Sequence, residues 1–209
     1  MFVHVALYEL GTLFTCFLGD FLPSKVNGVH GNLLRALIDS LTHGGVAFFC
    51  WAVLIQAKNY RDIGECVLCG VLAMAIDSDH FIAAGSLSLE AALSLGSQPF
   101  LHSSTLTLLI ALTILITGYT LKKGWIKVLS VMCFIAWTSH HIRDGSRRGL
   151  WFPPFGSTPV IPYNLYIILT LLLPLFVSAS LRIFSVDFLG SELQRQLFRE
   201  AKVDNLLPL

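Results

Sequence analysis

Imidazole recurs in four short stretches of this 209-residue chain, in three of them together with carboxylate. "DSLTHG" sets Asp39 and His43 four residues apart, so on a helix they share a face. "AIDSDHF" carries Asp77, Asp79 and His80, and "PFLHSST" carries His102. "TSHHIRDGSRRG" carries His140 and Asp144, again four apart, with His141, Arg143, Arg147 and Arg148 around them. Imidazole nitrogen mixed with carboxylate oxygen is the donor set of zinc, manganese or non-haem iron, whereas calcium and magnesium seldom take this much histidine. Two or more of each, drawn from separate segments, can hold one metal, or two that share a bridging carboxylate. A metal so held lowers the pKa of bound water, and a spare carboxylate then serves as general base or orients a ligand imidazole. The arginines admit two readings: forked donors for a phosphate or carboxylate, or interfacial cations reaching for lipid headgroups.

The elements that must position these groups are set by composition. The chain is 55% hydrophobic and 13% charged, with a mean hydropathy of +0.71, which places it among integral membrane proteins. A helix needs roughly 20 apolar residues to cross a bilayer, and about six such runs can be read. They cover approximately 2–22, 36–57, 64–84, 101–121, 125–142 and 161–184. The expected architecture is all-α, a polytopic membrane helical bundle of about six transmembrane helices, with residues 1–209 forming one domain. "SLSLEAALSLGSQPF", Ser86 to Phe100, is too short and too polar to span and is predicted as a short interfacial helix ending at Pro99. The polar segment 185–209 reads as a cytoplasmic tail, with Leu193, Leu197 and Ala201 on one helical stripe resting on the membrane surface.

Six spans put both termini on one face, which holds nine of the 14 Lys and Arg against five on the other. By the positive-inside rule the termini are cytoplasmic and the opposite face looks into a lumen or the exterior. The start of the second span, the end of the third, the start of the fourth and the end of the fifth all meet that opposite face. The four His/Asp stretches therefore arrive at one depth, where scattered helix-end polar residues would divide evenly between the faces. Ionisable residues inside spans are costly, and such convergence points to a shared site. Transport would need polar residues continuing toward the cytoplasm, and little beyond Gln56, Glu65 and threonines is there. A net charge of +1 with no basic stripe excludes a nucleic-acid surface, leaving membrane lipid as the expected partner. The five cysteines fall inside spans, and Cys66 with Cys69, a lone CxxC, reads as helix packing. The first segment lacks the basic flank of a secretory signal and reads as a retained span, although Glu9 and Asp20 are unusual in one.

The same stretches carry a family resemblance. "AIDSDH", "FLHSS" and "SHHIRDG" followed by "GLWFPPF" resemble successive motifs of the YdjM-like bacterial inner-membrane proteins, a family described as membrane-bound metal-dependent hydrolases. Over a longer reach, Leu34 to Tyr166, the chain resembles the small animal family of transmembrane protein 267. That family's patterns are matched at Asp77 to Leu93, Pro99 to Thr105 and Ala136 to Gly156, and the two ends match poorly. The bacterial resemblance implies metal-site roles for His43, Asp77, Asp79, His80, His102, His140 and Asp144. Ser97 and Gln98 stand where the bacterial pattern usually has a His-Arg pair, leaving open a vacated ligand position, a lost second metal or an inactive descendant.

The function expected from these readings is a multipass metal-dependent hydrolase acting on a lipid or other amphiphilic phosphate that enters from the leaflet. Its cofactor is a divalent metal, zinc foremost, with manganese or iron as alternatives. Asp77 or Asp79 serves as ligand or general base, Arg143 or Arg147 clamps substrate charge, and Asp39 and His141 support the ligands from behind. Two rivals stay open: a protein handling metal or protons in transit, and a non-catalytic membrane protein that keeps a structural metal site.

Overall fold

The computed structural model describes residues 2–27 and 31–183. The described helices are α1 (Phe2–Phe21), α2 (Gly31–Ile55), α3 (Tyr60–Met74), α4 (Ser78–Ala84), α5 (Leu89–Leu93), α6 (Ser104–Thr120), α7 (Gly124–Arg148) and α8 (Tyr163–Ile183). A small antiparallel hairpin, β1 (Trp151–Phe152) with β2 (Gly156–Ser157), follows α7. The protein is thus an all-α membrane protein. The tail expected over 185–209 lies outside the described residues.

Four stretches are long and apolar enough to cross a membrane: Val3–Lys25, Gly31–Ile55, Tyr60–Ala84 and Tyr163–Ile183. The expectation of about six differs from this at two helices. α6 is apolar but only 17 residues long. α7 has 25 residues, but its last three turns are the His/Arg/Asp segment itself, which removes it from any purely apolar criterion. The helix continues to Arg148, past the boundary expected at residue 142, because its polar side chains find partners inside the bundle.

α2 is the hub and packs against α1, α3, α7 and α8. Its buried face carries Val46, Ala47, Cys50, Trp51 and Leu54, each no more than 1% exposed. Close packing, which drives helix association in lipid, is secured by small residues. A Cβ on Gly70 would stand 2.8 Å from the Gly44 carbonyl oxygen, so α2 and α3 touch backbone to backbone one residue from His43. All five cysteines are free and buried, Cys66 and Cys69 among the core residues, as small apolar side chains. The outer surface is apolar, with Leu7, Phe14, Val67, Leu112 and Phe176 each more than 45% exposed, as a lipid-facing surface requires.

Local signals set the element ends near the site. α3 starts at a capping box: the Asn59 side chain accepts from the Arg61 and Asp62 amides, while Asp62 accepts from the Lys58 and Asn59 amides at 2.7 and 3.1 Å. At its other end a 3-10 turn, Ala75–Asp77, tightens the helix before α4, which stops at Gly85 in the left-handed region with φ 59°. The interfacial segment is helical only over Leu89–Leu93, and a second 3-10 turn, Phe100–His102, leads into α6.

Candidate metal centre

The structure brings the four His/Asp stretches to one place. His102 ends the 3-10 turn ahead of α6, His140 and Asp144 share a face of α7, and Asp77 closes the 3-10 turn that ends α3. His102 Nε2 and His140 Nε2 face each other at 3.4 Å. Asp144 Oδ2 lies 3.4 Å from the first and 3.7 Å from the second. Asp77 Oδ1 lies 3.8 and 3.6 Å from the same two nitrogens. A tetrahedral ion with ligands at about 2.1 Å has ligand-ligand edges of about 3.4 Å, so the His102–His140–Asp144 triangle, with edges of 3.4 to 3.7 Å, matches three corners of such a cage, and Asp77 Oδ1 stands beside its two nitrogens.

The imidazoles are held in the tautomer a metal needs. His140 Nδ1 is 3.0 Å from the Ala73 carbonyl, to which only an N–H can bond, and His102 Nδ1 is 3.4 Å from Asp79 Oδ2. With both Nδ1 atoms donating, both Nε2 lone pairs point at one space, and lone pairs at that distance repel unless a cation lies between them. The residues therefore fit a divalent metal.

The remaining expected ligands surround these four, and His43 (with Asp77 and His140, or with Asp39 and Asp144) and His80 (with Asp77 and His102) also belong to ligand-atom groups that could hold an ion. His43 stacks on His140, with ring centroids 3.7 Å apart, and its Nε2 lies 3.5 Å from Asp144 Oδ1. His80 is at the outer edge, with Nδ1 3.3 Å from Asp79 Oδ1. Asp79 is fully buried behind the imidazoles, where Oδ2 also accepts the Leu101 amide at 2.6 Å. It belongs to none of the ligand-atom groups that could surround an ion, whereas Asp77, 29% exposed, belongs to two. His141 turns away from the cluster: its two ring nitrogens meet the Ser104 hydroxyl and the Leu101 carbonyl, both at 3.0 Å.

The arginines expected at a substrate divide differently from that expectation. Arg143 is 1% exposed, and its guanidinium donates to Asp39 at 2.6 Å, to Asp20 at 3.1 Å and toward His43 Nε2 at 3.1 Å. It ties α1 and α2 to α7 and has no face left for a substrate. Arg147 bonds both oxygens of Asp39, at 3.1 and 2.6 Å. Asp39 thus serves the arginines more than the histidines. Arg148 instead lines two cavities beside the cluster, together with Gln98. Asp20, read from the sequence only as unusual in a first span, is the residue of this network that spacing alone missed. The signal for Asp20 was present, since a carboxylate at that end of the first span lies at the depth of the other clusters.

Comparison with known proteins gives relatives along most of the chain. It is 50% identical over 143 residues to transmembrane protein 267 of Bos taurus, covering 68% of this chain and 66% of that protein. The Mus musculus protein of the same name is 46% identical over 168 residues, covering 79% and 78%. That of Xenopus laevis is 43% identical over 171 residues, covering 81% and 79%. No family profile matches the chain, and no solved structure does.

Proposed function

The chain belongs to the transmembrane protein 267 family of membrane proteins, and we propose that it binds one divalent metal, zinc first, and uses it to hydrolyse a phosphate ester on an amphiphile. The observation that carries this reading is the triangle of His102 Nε2, His140 Nε2 and Asp144 Oδ2, with edges of 3.4, 3.4 and 3.7 Å. Catalytic zinc sites use three protein ligands and leave one position open. His102, His140 and Asp144 supply the three, from the better-buried side, and Asp77 faces the open position from the solvent side. A metal held there supplies Lewis acidity and lowers the pKa of a water at that position. Asp77 accepts that water's proton, and Asp79 keeps His102 in the right tautomer.

One metal is favoured over two. Of the three other His/Asp groups among the described residues, Asp39 with His43 and Asp144 already contains a cation, since the Arg143 guanidinium lies within 3.1 Å of both Asp39 Oδ1 and His43 Nε2, and the remaining two, His43–Asp77–His140 and Asp77–His80–His102, each reuse Asp77 and one histidine of the proposed centre. Ser97 and Gln98, where the chain departs from the YdjM-like pattern it resembles, line the neighbouring cavity and leave the four ligand atoms intact. That resemblance supports the same reaction class. We further read six spans, with α6 and α7 crossing beside the four apolar ones, cytoplasmic termini, and the centre at the lumenal or exterior interface.

Four protein donors are also the composition of a closed structural site, and this is the second reading, in which the metal clips α7 to the turns at Asp77 and His102. Detergent-purified protein separates the two. Elemental mass spectrometry should find about one equivalent of zinc, manganese or iron in the wild type and none in His140→Ala or Asp144→Ala. Asp77→Asn should keep the metal and lose phosphate release from a short-chain phosphatidic acid under the hydrolase reading, and lose the metal under the structural one. A freshly purified, chelator-free wild type without metal sinks both.

A further inference from the structure

The cluster opens on one side into space that no ligand role accounts for. A crevice touching His102 and Asp144 is bounded by Gln98 and Arg148, and the same two residues bound a larger cavity of about 320 Å³. That size is typical of a small-molecule site. His80 forms part of its wall on the cluster side, and Ala92, Leu93 and Leu95 form an apolar wall at and just after α5.

Charge selects what can sit there. Of the three arginines that end α7, Arg143 is buried against Asp20 and Asp39, and Arg147 is chelated by Asp39. Arg148 is exposed, and among the described residues no carboxylate pairs with it. The separation follows from helix geometry: at 3.6 residues per turn Arg143 and Arg147 share a stripe, while Arg148 lies seven residues from His141 and shares its face. His141 and Arg148 indeed line the crevice together.

We propose that the cavity is the substrate site, that Arg148 and Gln98 bind the anionic head of a phosphate monoester between them, and that Ala92, Leu93 and Leu95 receive its carbon chain. The inference rests on the hydrolase reading and names its substrate class. In the step served, the water oxygen bonds to phosphorus as the ester P–O bond breaks. The water's proton passes to Asp77, and the alcohol leaves carrying a proton from solvent, so the products are inorganic phosphate and the alcohol. Arg148 offsets one charge of the phosphate dianion with a forked pair of donors, and the Gln98 amide adds a neutral one.

The test uses the full-length, metal-loaded protein in detergent and two probes that cannot be hydrolysed, inorganic phosphate and decylphosphonate, titrated calorimetrically. The wild type should bind both, the decyl compound more tightly. Arg148→Ala should weaken both at least about tenfold, as loss of a charge-assisted bond implies, and Arg148→Lys should fall between. Leu93→Asn, which adds polarity without charge, should weaken decylphosphonate alone, which distinguishes an amphiphile site from a free-phosphate site. Metal content is measured on the same samples. A metal-free wild type overturns the hydrolase reading. Arg148→Ala binding both probes like the wild type, or a wild type that binds neither, overturns the anion site whatever the metal content.

Discussion

Replacing Asp79 by asparagine separates a carboxylate that orients imidazoles from one that holds the metal. Asp79 is completely buried; its Oδ2 accepts the Leu101 amide at 2.6 Å, and its Oδ1 lies 3.3 Å from Nδ1 of both His80 and His102. Asparagine keeps an oxygen for the Leu101 amide, so the turn carrying His102 retains its anchor. The negative charge that favours the Nδ1–H tautomer and strengthens Nε2 as a donor is lost. Partners behind ligand histidines are worth about 10- to 100-fold in metal affinity, or about 1.4–2.7 kcal/mol. Asp79 orients one proposed ligand imidazole, His102, so we expect a loss within that range, with stoichiometry unchanged. The assay is competition between the detergent-purified protein and a chromophoric zinc chelator at pH 7, with thermal unfolding to show that Asp79→Asn is folded and His140→Ala as the variant that loses a direct ligand. If Asp79→Asn is as empty as His140→Ala, the carboxylate is itself a ligand. If its affinity equals the wild type's, Asp79 does not orient His102. Either result refutes the assignment.

Arg143→Met leaves the Asp20 carboxylate without its guanidinium, and thermal unfolding in detergent should show a loss of about 3–5 kcal/mol, the cost of breaking a buried ion pair. Arg143→Lys should recover little of it, since a single ammonium cannot fork between Asp20 and Asp39. Gly70→Ala drives a methyl against the Gly44 carbonyl at 2.8 Å, and should cost about 1–3 kcal/mol while lowering metal occupancy through His43 and Asp77. Asp62→Ala removes half of the capping box at the far end of α3 and should cost about 1 kcal/mol with metal affinity unchanged, a control that tells instability from site damage.

The helices were legible where apolarity is continuous. α2, α8 and the joined α3 and α4 fall close to the runs read from the sequence, offset at their starts because small or polar residues such as Gly31 and Tyr60 already belong to the helix. α7 shows why apolarity fails as a rule of extent. From Thr138 onward it is a polar helix buried in protein, and only the partners of Arg143, His140 and Asp144 make it stable there. The interfacial helix shrank to Leu89–Leu93 because Gly96 and Pro99 favour turn over helix in the remainder.

At the site, the histidines and aspartates were legible because such residues are rare in an apolar chain and a simple alternation of spans carries them to one face. Their division of labour was not, because it depends on which way each helix turns. Yet α7 carries that information in its own spacing. His140 and Asp144 are four apart and face the proposed metal position; Arg143 and Arg147 are four apart and face Asp39; His141 and Arg148 are seven apart and face the crevice. One helix thus presents three adjacent stripes of different chemistry, and a choice of substrate clamp by residue type alone passes over the distinction. Arg143 and Arg147 are taken up by two carboxylates from α1 and α2, and Arg148 is left at the cavity because no carboxylate among the described residues pairs with it, Ser104 and Gln98 beside it being neutral.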